Sequence, residues 1–162
     1  TPEGIKLIKS SSHSATIEFH GKQKYLELGQ DRGNVFTEYA KQSLTLYPDN
    51  TGMYRSPGSI NGKRMNFLLD TGATSVAMSS AHASGLRIDY RNEGQPVQVS
   101  TASGFSRAYQ VMLDRVQVGD IVLHKVDATI LEGNHLDEVL LGMSFLKRVK
   151  MQREGNKLVL ER

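Results

Sequence analysis

The sequence predicts an all-β protein: a closed, barrel-like β domain with one or two short helices, preceded by a small N-terminal β meander. Three observations lead there. Apolar and polar residues alternate in short runs, the period of half-buried strands. Glycine and Asn-Gly pairs punctuate those runs at hairpin spacing. Two short stretches read as helix, Ala81–Ser84 and Ser144–Arg148.

Composition bounds the function before any motif is read. A chain of 162 residues accommodates one good core, or a domain of about 100–120 residues with a small appendage. Net charge is +3 and the pI about 9.2. Lys and Arg are scattered, gathering loosely only from Lys147 to Arg162, whereas nucleic-acid binding calls for a clustered stripe. No nucleic-acid partner is expected. There is no cysteine, which excludes disulfides, thiolate zinc sites and cysteine nucleophiles. No apolar run approaches the roughly 20 residues that span a bilayer. The chain opens Thr1-Pro2-Glu3 rather than with Met, which is compatible with an anchor upstream of it.

In order along the chain, Ile5–Ile8, Ala15–Phe19 and Tyr25–Gly29 read as a three-stranded meander with Gly21-Lys22 at a turn. Residues 30–58 are polar and broken by Pro48-Asp49-Asn50-Thr51-Gly52 and Ser56-Pro57-Gly58. This segment reads as a linker with one short strand. The expected boundary lies at 48–52, with an appendage and linker over 1–47 and the main domain over 53–162. Asn61-Gly62 predicts a type I′ hairpin turn. Arg64–Leu69 then forms a strand, followed by the short run Val76-Ala77-Met78. Ser79 or Ser80 caps the first helix, which Gly85 stops. Val97–Thr101 and Tyr109–Leu113 are strands around the polar tip 102–107. Val116–Leu123 reads as a hairpin, Val126–Leu131 as a strand, and Val139–Met143 precedes the second helix. Lys150 to Leu160 closes the chain as a last hairpin around Gly155-Asn156.

One stretch carries chemistry. Phe67-Leu68-Leu69 runs straight into Asp70-Thr71-Gly72-Ala73-Thr74-Ser75. A carboxylate at the end of a buried strand is costly unless partnered, which makes Asp70 a functional candidate. A strand ending in an ordinary turn would use the same residue types. The five histidines are dispersed without metal-ligand spacing, and no Gly-x-Ser-x-Gly elbow or phosphate loop is present. No metal or cofactor is expected.

Asp70-Thr71-Gly72-Ala73 after an apolar run resembles the signature of the aspartic proteases. The later Leu140-Leu141-Gly142 matches the hydrophobic-hydrophobic-Gly element of that family. Between them, Val99–Val111 around Gly104 resembles its glycine-tipped flap hairpin. With Leu141–Leu146 and Lys150–Gly155, the whole span 53–162 is most similar to single-domain retropepsin-like proteases of bacteria.

The resemblance implies a retropepsin-like closed β-barrel, the acid protease fold, and peptide-bond hydrolysis by two carboxylates that share one proton across a water. Asp70, Thr71 and Gly72 take the catalytic positions. Thr71 is expected to bond across to its counterpart, and Gly72 to let the chain turn without a side chain blocking the water. Ala73, Ser103, Gly104 and Phe105 are expected to face substrate, while Thr74, Ser75, Leu141 and Gly142 support the loop. Ala73 stands where pepsin-like enzymes usually carry Ser, which implies a less acidic pH optimum than theirs. Asp-Thr-Gly occurs once, and no other acid is followed by the hydroxyl-Gly pair. One chain therefore holds half a dyad, and a C2 homodimer would supply the other half. The implied partners are a second copy and a peptide or protein substrate. The resemblance also implies a bacterial periplasmic location with an inner-membrane tether outside this chain. A non-catalytic dimeric module of the same fold that binds peptides is the other function class; loss of the Asp would mark it, and Asp70 is intact.

Overall fold

A computed structural model of the chain describes residues 5–12, 14–19, 21–27, 42–101, 104–133 and 136–162. Contacts divide the chain into two compact units, Thr1–Lys41 and Gln42–Arg162.

The first unit holds the antiparallel meander β1 (Ile5–Ser10), β2 (Ser14–Phe19) and β3 (Lys22–Glu27). Leu7 lies opposite Ile17, Ile5 opposite Phe19 and Ala15 opposite Leu26, so the apolar residues gather on one face. The register slips between Leu7 and Lys9, a bulge at Ile8.

The second unit is built on the strands β4 (Ser43–Leu46), β5 (Arg55–Ile60), β6 (Lys63–Leu69), β7 (Val76–Ser79), β8 (Gln95–Thr101), β9 (Gly104–Val118), β10 (Ile121–Leu131), β11 (Val139–Leu141), β12 (Lys150–Glu154) and β13 (Lys157–Glu161). Three short helices interrupt them: α1 (Ser80–Leu86), α2 (Tyr90–Glu93) and α3 (Met143–Leu146). Seven strands form one sheet in the order β10-β7-β11-β6-β5-β9-β8, and β9 pairs again with β10. That last pairing closes six strands into a ring, with β8 left outside on β9. The ring is filled by Ile60, Phe67, Met78, Leu113, Ile121 and Ile130, all essentially inaccessible to solvent.

Local chemistry explains the turns. Asn61 and Gly62 have φ of 48° and 82°, the paired positive values that a type I′ turn requires. Ser79 caps α1, its Oγ accepting from the His82 N–H, while the His82 ring lies 2.9 Å from the same Oγ. Gly85 does not stop that helix; it ends one residue later, with Arg87 left-handed at φ 58°. α2 has no counterpart among the expected elements.

The boundary at 48–52 is corrected. Residues 48–52 are not a linker but a tight turn joining β4 to β5. Asp49 Oδ1 accepts from Thr51 N–H (2.7 Å), Thr51 Oγ1 (2.6 Å) and Met53 N–H (3.2 Å), and Pro48 bridges to Tyr54. β4 belongs with β13 and β12 in a three-stranded sheet, pairing Leu46 with Leu158 and Leu44 with Leu160. Burial of Leu46, Leu158 and Leu160 in the common core ties this sheet to the ring. The punctuation residues read as a break because turns and linkers share their composition. The expected tip 102–107 also shrinks: Gly104–Arg107 continue β9, paired with β8 from Thr101 opposite Gly104 onward.

Arg55, the first residue of β5, donates from Nε to Glu138 Oε1 (2.7 Å) and from Nη2 to Glu138 Oε2 (2.8 Å), and it also pairs with Asp49. The two-pronged bond to Arg55 holds the Glu138 carboxyl below its usual range. A carboxyl depressed by folding stabilises above its unfolded pKa and loses that contribution as pH falls through its folded value. Glu138→Gln is therefore expected to lower the melting temperature at neutral pH, and the gap from wild type should close in acid. Thermal unfolding followed by circular dichroism across pH checks this.

Candidate active site

β11 lies between β6 and β7, parallel to β6 and bridged to β7 through Leu140 and Ala77. The chain leaving β6 at Leu69 must therefore step over the end of β11 to reach β7. Residues 70–75 are that step, and they carry Asp70, Thr71 and Gly72.

The loop is held from both ends. Asp70 N–H donates to the Leu141 carbonyl (3.2 Å), and Met143 N–H donates to the Ala73 carbonyl (2.8 Å). Between those two bonds the backbone of Gly142 passes beneath the loop. A Cβ on Gly142 would lie 2.1 Å from the Ser75 carbonyl oxygen and 2.7 Å from that of Ala73, distances no side chain tolerates. Leu141 and Gly142 thus support the loop through backbone alone.

Asp70 is half-buried, whereas Thr71 and Gly72 are exposed. Gly72 N–H donates to Asp70 Oδ1 (2.8 Å), and Ala73 N–H bonds back to the Asp70 carbonyl (3.3 Å). A Cβ on Gly72 would crowd Asp70 Oδ1 at 3.1 Å. Asp70 Oδ2 has no hydrogen-bond partner among the described residues. The triplet is thus presented at the surface of one protomer with one carboxylate oxygen oriented by backbone and the other open.

Ser75 Oγ lies 2.7 Å from Thr129 Oγ1 on β10, so Ser75 anchors the loop. Thr74, expected to brace it, is exposed and makes no side-chain hydrogen bond among the described residues. Ser144 on α3 was not among the expected site residues, yet it joins three elements. Its Oγ donates to the Asp127 carbonyl (2.7 Å) and accepts from the buried Val76 N–H (3.0 Å). A lone hydroxyl within the apolar run Leu141–Leu146 was the available signal, since a polar group in such a run needs a partner.

The β8–β9 hairpin places Gly104 in the left-handed region at φ 116° and leaves Phe105 largely exposed at 76%. Ser103 lies outside the described residues.

This geometry has known counterparts. The family described as "gag-polyprotein putative aspartyl protease" matches residues 56–148, more than half of the chain. The chain belongs to that aspartyl protease family. A crystal structure of a retropepsin-like aspartic protease from Rickettsia conorii superposes with a TM-score of 0.65 at 24% identity, covering 75% of this chain and 91% of that one. The fold is therefore the all-β retropepsin-like fold. Among curated relatives, an uncharacterized Sinorhizobium protein from the cobV 5′ region is 29% identical over 91% of this chain. An uncharacterized Rickettsia prowazekii protein is 31% identical over 62% of it. The chain spans 64% and 43% of the lengths of those two relatives.

Two substitutions test the scaffold of the loop. Gly142→Ala is expected to cost at least about 3 kcal/mol, because the clash is with fixed backbone. Ser144→Ala should cost about 1–3 kcal/mol by orphaning the buried Val76 N–H. Denaturant unfolding of each variant checks both values.

Proposed function

We propose that the protein is an aspartic endopeptidase that acts as a homodimer. The observation that carries this reading is the Asp70 loop itself. A member of an aspartyl protease family presents a single Asp-Thr-Gly at its surface, braced by Gly142, with one carboxylate oxygen open. A two-fold axis at that loop would set Asp70 against Asp70 of a second copy, with a water between them.

The chemistry follows from that pairing. The ionised carboxylate takes a proton from the water, whose oxygen attacks the scissile carbonyl carbon. The protonated carboxyl gives its proton to the carbonyl oxygen, leaving a neutral tetrahedral diol. Proton transfer from the diol to the amide nitrogen then breaks the C–N bond, releasing acid and amine. Gly72 leaves room for the water, and Thr71 ties the two loops together. Ala73 and the Gly104–Phe105 end of the β8–β9 hairpin, with Ser103, would enclose the substrate from opposite sides.

The reading extends to location: a bacterial periplasmic enzyme held at the inner membrane by a segment outside this chain. Its support is the family resemblance. No helix among the described residues is long and apolar enough to cross a membrane. Fractionation of cells producing the full-length protein tests this, and recovery in the soluble cytoplasmic fraction would overturn it.

Asp70→Asn is expected to abolish hydrolysis of casein, which pepstatin should also block in the wild type. Specific activity should fall on dilution in step with dissociation of the dimer measured by sedimentation. Residual cleavage by the Asn variant, or full specific activity in a monomer, would overturn the reading.

A further inference from the structure

The last residues of the loop 70–75 open onto a surface that the proposed dyad does not use. Thr74 and Ser75 line one end of a cleft of about 660 Å3, whose other walls include Val99 and Gln110 of the β8–β9 hairpin. A second cleft of about 420 Å3 is lined by Asn61, Leu86 and Ile88. Glu93, Val111 and Met112 line both, so the two meet where α2 packs on β9.

That junction is rigidly built. A Cβ on Gly94 would lie 2.4 Å from the Tyr90 carbonyl oxygen and 3.0 Å from Val111 Cγ1. The Tyr90 ring packs edge-on against Tyr109 at 5.2 Å. The end of α2 is thus packed closely on β9, which sets where the backbone presents Glu93. Met112 is 54% exposed although it sits mid-strand.

Charge at the junction is local. Beyond Glu93, the first cleft carries one acid and one base, Asp127 and Lys147, and the second likewise carries Asp114 and Arg87. Asp114 is also paired with Lys125 at 2.6 Å. Glu93 is exposed and has no ion-pair partner among the described residues. Glu93 is the acid common to both clefts, and it stands beside the exposed Met112.

We propose that this groove is an exosite for substrate. It takes an extended, unfolded polypeptide segment flanking the scissile bond, with an apolar side chain on Met112 and a basic one facing Glu93. The occupant is substrate because Thr74 and Ser75, the last residues of the loop that carries Asp70, line the groove. A chain held at Asp70 is led into it. This identification of the occupant rests on the proposed peptidase activity; the binding surface does not.

The test separates the two. Fluorescein-labelled β-casein, an unfolded polypeptide, is titrated with the full chain carrying Asp70→Asn, and polarisation reads its Kd. Met112→Arg and Glu93→Lys, each added to that background, should raise Kd by about tenfold, with the fold verified by circular dichroism. Glu93→Gln should weaken binding less and flatten its salt dependence. In the protein with Asp70 intact, the same changes should raise KM for β-casein and leave kcat/KM unchanged for a short peptide spanning only the cleaved bond. Unchanged Kd in both Met112→Arg and Glu93→Lys, or no binding of β-casein by the parent, would overturn the exosite. Loss of binding in those variants with no cleavage by the Asp70 protein would instead uphold the groove and reject the peptidase reading.

Discussion

The close passage of the Gly142 backbone beneath the loop 70–75 is the constraint on which the rest of the second unit depends. β11 must slide between β6 and β7 for the ring to close, and it can do so only if the residue at its end has no side chain. The same contact sets the height and direction of the loop. Two backbone hydrogen bonds, from Asp70 to Leu141 and from Met143 to Ala73, then pin the loop on either side. Fold closure and presentation of the carboxylate are therefore one geometric event.

That coupling has a physical benefit. A carboxylate positioned by backbone contacts is held more tightly than one on a free loop, because few rotatable bonds separate it from the sheet. The Ser75–Thr129 and Ser144–Asp127 bonds extend the bracing into β10, so the loop is tied to β10, to β11 and to α3. The β8–β9 hairpin is held differently. Gly104 and Phe105 sit at the exposed end of a hairpin whose β8 strand is an edge outside the closed ring.

Much of this was legible in the order of residues. Period-two alternation marked most of the strands, Asn61-Gly62 marked a hairpin, and Asp70-Thr71-Gly72 and Leu140-Leu141-Gly142 marked two segments that the structure brings together. These are local signals, carried by residue types whose conformational preferences act over a few positions. The errors were equally physical. Pro48–Gly52 has the composition of a linker, and only the pairing of β4 with β13 makes it an internal turn. The stretch 102–107 suggested a loop tip, yet β8 supplies the pairing that makes Gly104–Arg107 strand. Ser144 could not be assigned a task without knowing that the Val76 N–H and the Asp127 carbonyl converge on it.

The sequence by itself determined most of the strand content, the single Asp-Thr-Gly and the later Leu140-Leu141-Gly142, since each follows from residue type, spacing or count. Tertiary structure alone decided that Gly142 lies under Ala73 and Ser75, that Ser75 rather than Thr74 anchors the loop, and that Glu93 and Met112 join two clefts beside it. Those relations link residues far apart in the chain, and only closure of the ring brings them within bonding or packing distance.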